Sequence, residues 1–289
     1  MTTSKRINKK KILVFGNGFI SQAVLNFFNK DKKFLLICLC KPNKNLKKIT
    51  GVKYLNISDY KNINKIRKID FIINALGNIN HSKFKTKSES IIFNEHFNLP
   101  IKILANLNIN NKVLFLQIGS IDEITQLFKN PYHLTPYALS KNFFSNYILT
   151  LNYNNFINAK IIYVNSVFGE NQKKNRFIPY VIDSFINKKS FIPNYPNENR
   201  NFISSTELVN AIYIILKKPN VFKDKIIIKS KNDYKIKDIV SYIYNKNKSK
   251  IKIRKYKSQN FKLPSLDYFF VKDNFEKKID EIIKFYINN

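Results

Sequence analysis

Tyr137 and Lys141, in Tyr137-Ala138-Leu139-Ser140-Lys141, are the two side chains of this sequence best suited to moving a proton. On a helix, a spacing of four puts phenol and ammonium on one face. There the cation lowers the phenol's pKa toward the range of a general acid or base. The chain holds 16 Tyr and 46 Lys, so chance pairs abound, and position carries the argument. The pair follows an apolar run, Val113 to Ile118, that leads into Gly119-Ser120, whose hydroxyl can meet a substrate carbonyl beside the phenol. Near the N-terminus, Lys11 to Phe15 leads into Gly16-Asn17-Gly18-Phe19-Ile20-Ser21. Gly16 permits a tight turn, Gly18 lets backbone approach a pyrophosphate at a helix N-terminus, and Ser21 is small enough for close helix packing. This predicts a dinucleotide site.

A ribose 2′-hydroxyl is normally held by Asp or Glu after the second strand, and a 2′-phosphate by a cation. Here the sequence reads Cys40-Lys41-Pro42 and then Lys44, with no acid. Lys41 therefore predicts NADP, with NAD as the alternative.

These residues need a scaffold. Phe34 to Cys40, Asp70 to Ile73 and Val113 to Ile118 are short, continuous apolar runs alternating with helical patterns. That alternation predicts a parallel sheet covered on both faces, a doubly wound Rossmann-like α/β domain. Further on, helices are expected around Pro136 to Leu151, Phe177 to Ile186 and Thr206 to Lys217, and strands at Lys160 to Val164 and Lys225 to Ile228. The last third reads helix (Asp233 to Tyr244), strand (Lys250 to Arg254), helix (Phe275 to Ile287). With 289 residues and no flexible linker, the expected organisation is a dinucleotide-binding domain over 1–165 and a small, intertwined C-terminal substrate-binding domain over 166–289. A strand and helix near 202–228 are expected to return to the first domain.

Composition excludes several classes. Hydrophobic residues at 44% and charged residues at 24% are ordinary globular usage, not disordered or collagen-like. No apolar run approaches the roughly 18 to 20 residues that span a bilayer, so no membrane partner and a cytoplasmic location are expected. The net charge of +32 suggests nucleic acid, but only five of the 51 basic residues are arginine, and 46 lysines accompany 42 asparagines. That bias follows from AA-starting codons, and the scattered lysines lack the fork that reads guanine or phosphate. Even the densest stretch, Lys248 to Lys257, alternates like an edge strand with one solvated face, so no nucleic-acid partner is expected. Cys38 and Cys40 are expected to be buried thiols, and His81, His96 and His133 lack metal-ligand spacing.

Taken in order, the motifs resemble the extended short-chain dehydrogenase/reductases, the NAD-dependent epimerase/dehydratase family acting on nucleotide sugars. Phe15 to Ile20 resembles its cofactor turn, with Gly16, Gly18, Phe19 and Ile20 as contacts. Leu55 to Asp59 resembles the segment along adenine, with Asn56, where the family usually has Asp, and Ile57. Asp70 to Gly77 resembles the fourth strand and its cofactor loop, with Asn74, Ala75 and Leu76. Gln117 to Glu123 resembles the catalytic Ser/Thr segment, and Tyr137 with Lys141 its Tyr-x-x-x-Lys pair. Val167-Phe168-Gly169 and Asn175 to Pro179 resemble a substrate-side loop, and Arg200-Asn201-Phe202-Ile203 resembles the segment whose arginine grips the diphosphate.

The resemblance implies a nucleoside-diphosphate sugar as substrate, held by Ser166, Arg176 and Arg200, and a homodimer. Ser120, Tyr137 and Lys141 become the catalytic set: Tyr137 the acid/base, Ser120 a hydrogen bond to the reacting oxygen, and Lys141 the ribose-binding cation. It orders the reactions as 4-keto reduction first, 4-epimerisation next and 4,6-dehydration third, in the making of surface-polysaccharide sugars. Ile121 stands where the family most often has its catalytic hydroxyl, Tyr163 replaces a common arginine, and the segment from Ser120 to Tyr137 is short. A dinucleotide sensor without catalysis is therefore the alternative. Asp122-Glu123 matches the pair with which family dehydratases eliminate water, against a plainer reading as a loop or helix-cap pair.

Overall fold

The structure, a computed structural model, describes residues 9–42, 48–77, 86–124, 135–245, 253–258, 266–272 and 274–288. Thirteen strands are described: β1 (Lys10–Phe15), β2 (Phe34–Cys40), β3 (Val52–Asn56), β4 (Phe71–Asn74), β5 (Leu114–Ser120), β6 (Asn158–Val164), β7 (Ser166–Phe168), β8 (Asn199–Arg200), β9 (Phe202–Ser204), β10 (Lys225–Ser230), β11 (Asn232–Lys235), β12 (Tyr256–Lys257) and β13 (Leu266–Val271). Eight form one sheet in the order β13-β10-β6-β5-β4-β1-β2-β3. The pairs β1/β2, β1/β4, β2/β3 and β4/β5 are parallel. The fold is thus the doubly wound α/β arrangement that the apolar runs predict.

Burial explains the continuous apolar character of these strands. All four residues of β4 and the first six of β5 are buried, whereas β3 at the sheet edge is only partly covered. The Phe19–Phe28 helix buries Ser21, Val24, Leu25 and Phe28, one stripe at helical spacing. The sheet order reverses at β1, which lies between β2 and β4. In open α/β sheets, ligands bind in the crevice beyond the carboxyl ends of the strands at such a reversal.

Contacts group the chain into two units, one of Met1–Tyr163 with Leu216–Ile226, the other of Val164–Ile215 with Ile227–Asn289. The second has its own core, in which Phe168, Phe202, Tyr234 and Phe275 cluster and Tyr234 stacks on Phe275 at 4.3 Å between centroids. It also holds the parallel pair β7/β9 and a small sheet in the order β12-β11-β8.

Two sequence expectations need correction here. The helix expected from Asp233 begins at Ile236, because Asn232–Lys235 pairs antiparallel with both β8 and β12. Of the strand expected at 250–254, residues 250–252 lie outside the described residues, and Ile253 and Arg254 belong to no strand. The pairing falls instead at Tyr256–Lys257, while the Ile253 N–H donates to Glu276 Oε1 at 2.8 Å.

Candidate active site

The turn after β1 is built for close approach. Gly16 has φ +93°, a conformation that strains any residue with a Cβ. Such a Cβ would also meet Leu76 Cδ2 at 3.2 Å and Ala75 O at 3.4 Å. Gly18 is exposed, with no atom within 4 Å of where its Cβ would stand. It caps the Phe19–Phe28 helix without a side-chain hydrogen bond, and the first turn carries no acid. Open space, turned-out N–H groups and the positive end of the helix dipole together fit a pyrophosphate. Ser21 is fully buried behind the turn, its Oγ without a hydrogen-bond partner.

On the β2 side of the turn, the Gly16 N–H donates to Leu39 O at 2.7 Å and the Cys38 thiol to Gly16 O at 3.3 Å. Both cysteines are buried, which raises their pKa values and makes them poor nucleophiles. Lys41, which follows, is ion-paired with Glu95 at 2.5 Å, so the cation on which the NADP expectation rests already has a carboxylate partner. Asn56 accepts from the Ser58 N–H at 3.0 Å and remains exposed, while Ile57 is buried with its N–H on Cys40 O. On the β4 side, buried Asn74 donates to Gln117 Oε1 at 2.7 Å and accepts from the Leu76 N–H at 3.1 Å, which shapes the Ala75 to Gly77 loop.

Tyr137 and Lys141 open the Pro136–Tyr153 helix. Pro136 suits its first turn, and the Thr135 hydroxyl accepts from the Ala138 N–H at 3.2 Å, an N-cap. Lys141 is buried, and its Nζ donates to Ile118 O at 2.7 Å and Leu76 O at 3.4 Å. The ammonium therefore ties the end of β5 to the loop after β4. It lies 5.8 Å from the centroid of the Tyr137 ring. Tyr137 is half-buried, and its ring and that of His96 meet edge to face at 5.3 Å between centroids. His96 is itself buried, its Nδ1 2.8 Å from Ser140 Oγ.

Beneath Ser120 lies a carboxylate whose role the residue types alone did not reveal. Glu123 is fully buried, accepting from the Ser120 N–H at 2.6 Å and the Ser145 hydroxyl at 2.8 Å. Burial raises its pKa, against the pull of Lys141 and of these hydrogen bonds, while Lys141 is lowered by burial and raised in turn by Glu123. A Cβ at Gly119 would stand 2.9 Å from Glu123 Oε1 and 3.1 Å from Tyr163 Cδ1, so glycine is required for the carboxylate to sit there. Ser120-x-x-Glu123 has the spacing of a capping box, the signal that could have located this contact. The Ser120 hydroxyl is half-buried and donates to Asp122 Oδ2 at 3.3 Å.

Ser166, Arg176 and Arg200 belong to the second unit. Ser166 opens β7 opposite Phe202, and Arg176 stands at the N-cap of the Phe177–Ile186 helix. Arg200, opposite Tyr234 in the small sheet, gives both arms of its fork to Glu198 at 2.9 Å each. Glu198 was not anticipated from the motif. The pair borders an open depression lined also by Asn194, Tyr195, Pro196 and Asn197. Among the described residues no group of His, Cys, Asp and Glu could hold a metal, and no helix is long and apolar enough to cross a membrane. His81, His133 and most of the short segment between Ser120 and Tyr137 lie outside the described residues.

A glycine turn at the reversal of a parallel sheet, with Tyr-x-x-x-Lys at the head of the helix after β5, defines a dinucleotide-type α/β protein. The model of the NAD dependent epimerase/dehydratase family matches residues 12–229, and the chain belongs to that family. It is 28% identical over 221 residues to the CDP-abequose synthase of Salmonella typhimurium, covering 72% of this chain and 70% of that protein. The fold is similar to that of a UDP-N-acetylglucosamine 4-epimerase from Methanobrevibacter ruminantium solved in complex with UDP-N-acetylmuramic acid, at TM-score 0.74, 17% identity and 97% and 99% coverage. It is also similar to that of a dTDP-glucose 4,6-dehydratase from Bacillus anthracis in complex with NAD, at TM-score 0.72, 15% identity and 97% coverage of both chains.

Proposed function

We propose that this chain is a dinucleotide-dependent oxidoreductase acting at a keto or hydroxyl carbon of a nucleoside-diphosphate sugar, by 4-keto reduction or, next in order, 4-epimerisation. The observation that carries this reading is Lys141, buried and held on Ile118 O and Leu76 O beside the Tyr137 ring. Gly16, Gly18, Phe19 and Ile20 would receive the pyrophosphate of NAD or NADP, Asn56 and Ile57 would border the adenine, and Ala75, Leu76 and Lys141 the nicotinamide half. When bound, the dinucleotide supplies a hydride acceptor or donor. Tyr137 holds the proton that the substrate oxygen gains or loses, and the Ser120 hydroxyl donates to that oxygen once it leaves its 3.3 Å bond to Asp122. Glu123 keeps the Ser120 backbone in place and cannot itself reach a sugar, being fully buried with both oxygens engaged. That disfavours the 4,6-dehydratase reading.

The first unit is the dinucleotide-binding part and the second the substrate-binding part, with Ser166, Arg176 and Arg200 toward the sugar nucleotide. A diphosphate would displace Glu198, since a half-exposed surface ion pair is weakly held. The likeness to a CDP-abequose synthase makes CDP-linked 4-keto sugars the first to try. A homodimer in the cytoplasm is part of the proposal. The test offers purified protein a panel of CDP-, UDP- and dTDP-linked 4-keto sugars with reduced dinucleotide. Tyr137→Phe should lower turnover by ~10² to 10⁴-fold with dinucleotide affinity unchanged. Full turnover by the variant removes Tyr137 from the mechanism, and a parent that binds dinucleotide yet turns over no sugar nucleotide is the non-catalytic sensor.

A further inference from the structure

We infer that Glu95 is a specificity-determining residue that reaches the end of β2 from a different element, supplies the carboxylate missing there, and makes this chain prefer NAD(H) to NADP(H). The inference rests on the dinucleotide reading. β1 and β2 run parallel with Phe15 opposite Leu39, and the Gly16 N–H donates to Leu39 O, so Lys41 follows just beyond the level of the glycine turn. The 2′ position of a dinucleotide lying on that turn falls after the second strand. The segment there offers no acid of its own. Glu95 brings one: its Oε1 lies 2.5 Å from Lys41 Nζ.

The neighbours of Glu95 show that the carboxylate is the fixed member of the pair. Its side chain is 19% exposed against 64% for Lys41. It sits in a π-helical turn, Asn94–Asn98, a deformation often found at functional positions. The next residue, His96, is buried against Ser140 and the Tyr137 ring, and Phe97 packs on Phe143 and Tyr147 of the Pro136–Tyr153 helix. The turn is thereby pinned, and Lys41 is the partner free to pivot.

A 2′-phosphate approaching Lys41 would meet a carboxylate already on the ammonium, and like charges at such a distance repel. A ribose 2′-hydroxyl, by contrast, donates to a carboxylate, which keeps lone pairs for it after pairing with lysine. The same two side chains thus favour the hydroxyl and oppose the phosphate.

The experiment titrates the full-length protein with NADH and with NADPH, without any sugar, following the fluorescence of the reduced nicotinamide. The parent should bind NADH tighter than NADPH by about tenfold, the scale of one charge contact at a partly exposed site. Glu95→Gln, of the same shape without the charge, should close or reverse that gap mainly by tightening NADPH, and an unchanged melting temperature shows that the fold is intact. Lys41→Gln, at the exposed partner, should widen the gap by weakening NADPH. A parent that binds NADPH as tightly as NADH, or a folded Glu95→Gln or Lys41→Gln with the parent's ratio, overturns the inference and leaves the dinucleotide site standing. A parent that binds neither dinucleotide overturns both.

Discussion

At the scale of single residues, the site depends on groups that would be unfavourable alone. Lys141 and Glu123 are both buried, and each moderates the cost of burying the other. Burial raises the Glu123 pKa from its ordinary value. An acid raised in the folded state binds more protons folded than unfolded, so its stabilising contribution is complete below the ordinary carboxylate pKa and is lost as pH rises through the raised value. Glu123→Gln has no such titration. The difference in melting temperature between parent and variant should therefore favour the parent most at acid pH and shrink toward neutrality. A difference that grows in the parent's favour with rising pH contradicts the direction assigned to Glu123.

Elements place these residues through their ends. Ser204-x-x-Glu207 starts the Ser205–Lys217 helix with a reciprocal capping box, the Ser204 N–H on Glu207 Oε2 at 2.8 Å and the Glu207 N–H on Ser204 Oγ at 3.2 Å. The Ser204 hydroxyl also donates to Glu207 at 2.8 Å. Ser204→Ala removes the cap and strands part of a carboxylate already carrying one unpartnered buried oxygen, Oε1. It should cost ~1 to 2 kcal/mol, read as a lowered urea midpoint with unchanged slope. An unshifted midpoint means that the box contributes nothing net. Ser120-x-x-Glu123 has the same spacing, and its half-closed box holds the backbone of the proposed catalytic serine.

For the whole molecule, the +32 charge is the property that bears on polyanion binding. Lysines spread over most segments repel one another at low salt. Oligonucleotide binding should be weak and independent of sequence, and should collapse between ~50 and ~200 mM salt, as counterion release requires. Retention of a particular sequence at the higher salt would overturn that expectation. Screening of the self-repulsion should also raise the melting temperature over the same range.

The sequence by itself determined the sheet class, the glycine turn and the Tyr137/Lys141 pair. Continuous apolar runs, glycine at a positive φ and a spacing of four on a helix are local consequences of residue type and order. The plain reading of Asp122-Glu123 as a loop or helix-cap pair was available from the sequence, but the hold of Glu123 on the Ser120 N–H was not drawn from it. Only the tertiary structure decided which distant charges meet. Glu95 is 54 positions from Lys41 in the chain, and Glu123 is 18 from Lys141, so neither the ion pair of the first two nor the mutual influence of the second two follows from local periodicity. The reach of Asn232–Lys235 into β8 and β12, which displaced the start of a helix, arose in the same way. Strand pairing and charge pairing depend on what the fold brings alongside, and for the proposed cofactor preference that neighbour reverses the meaning of the lysine.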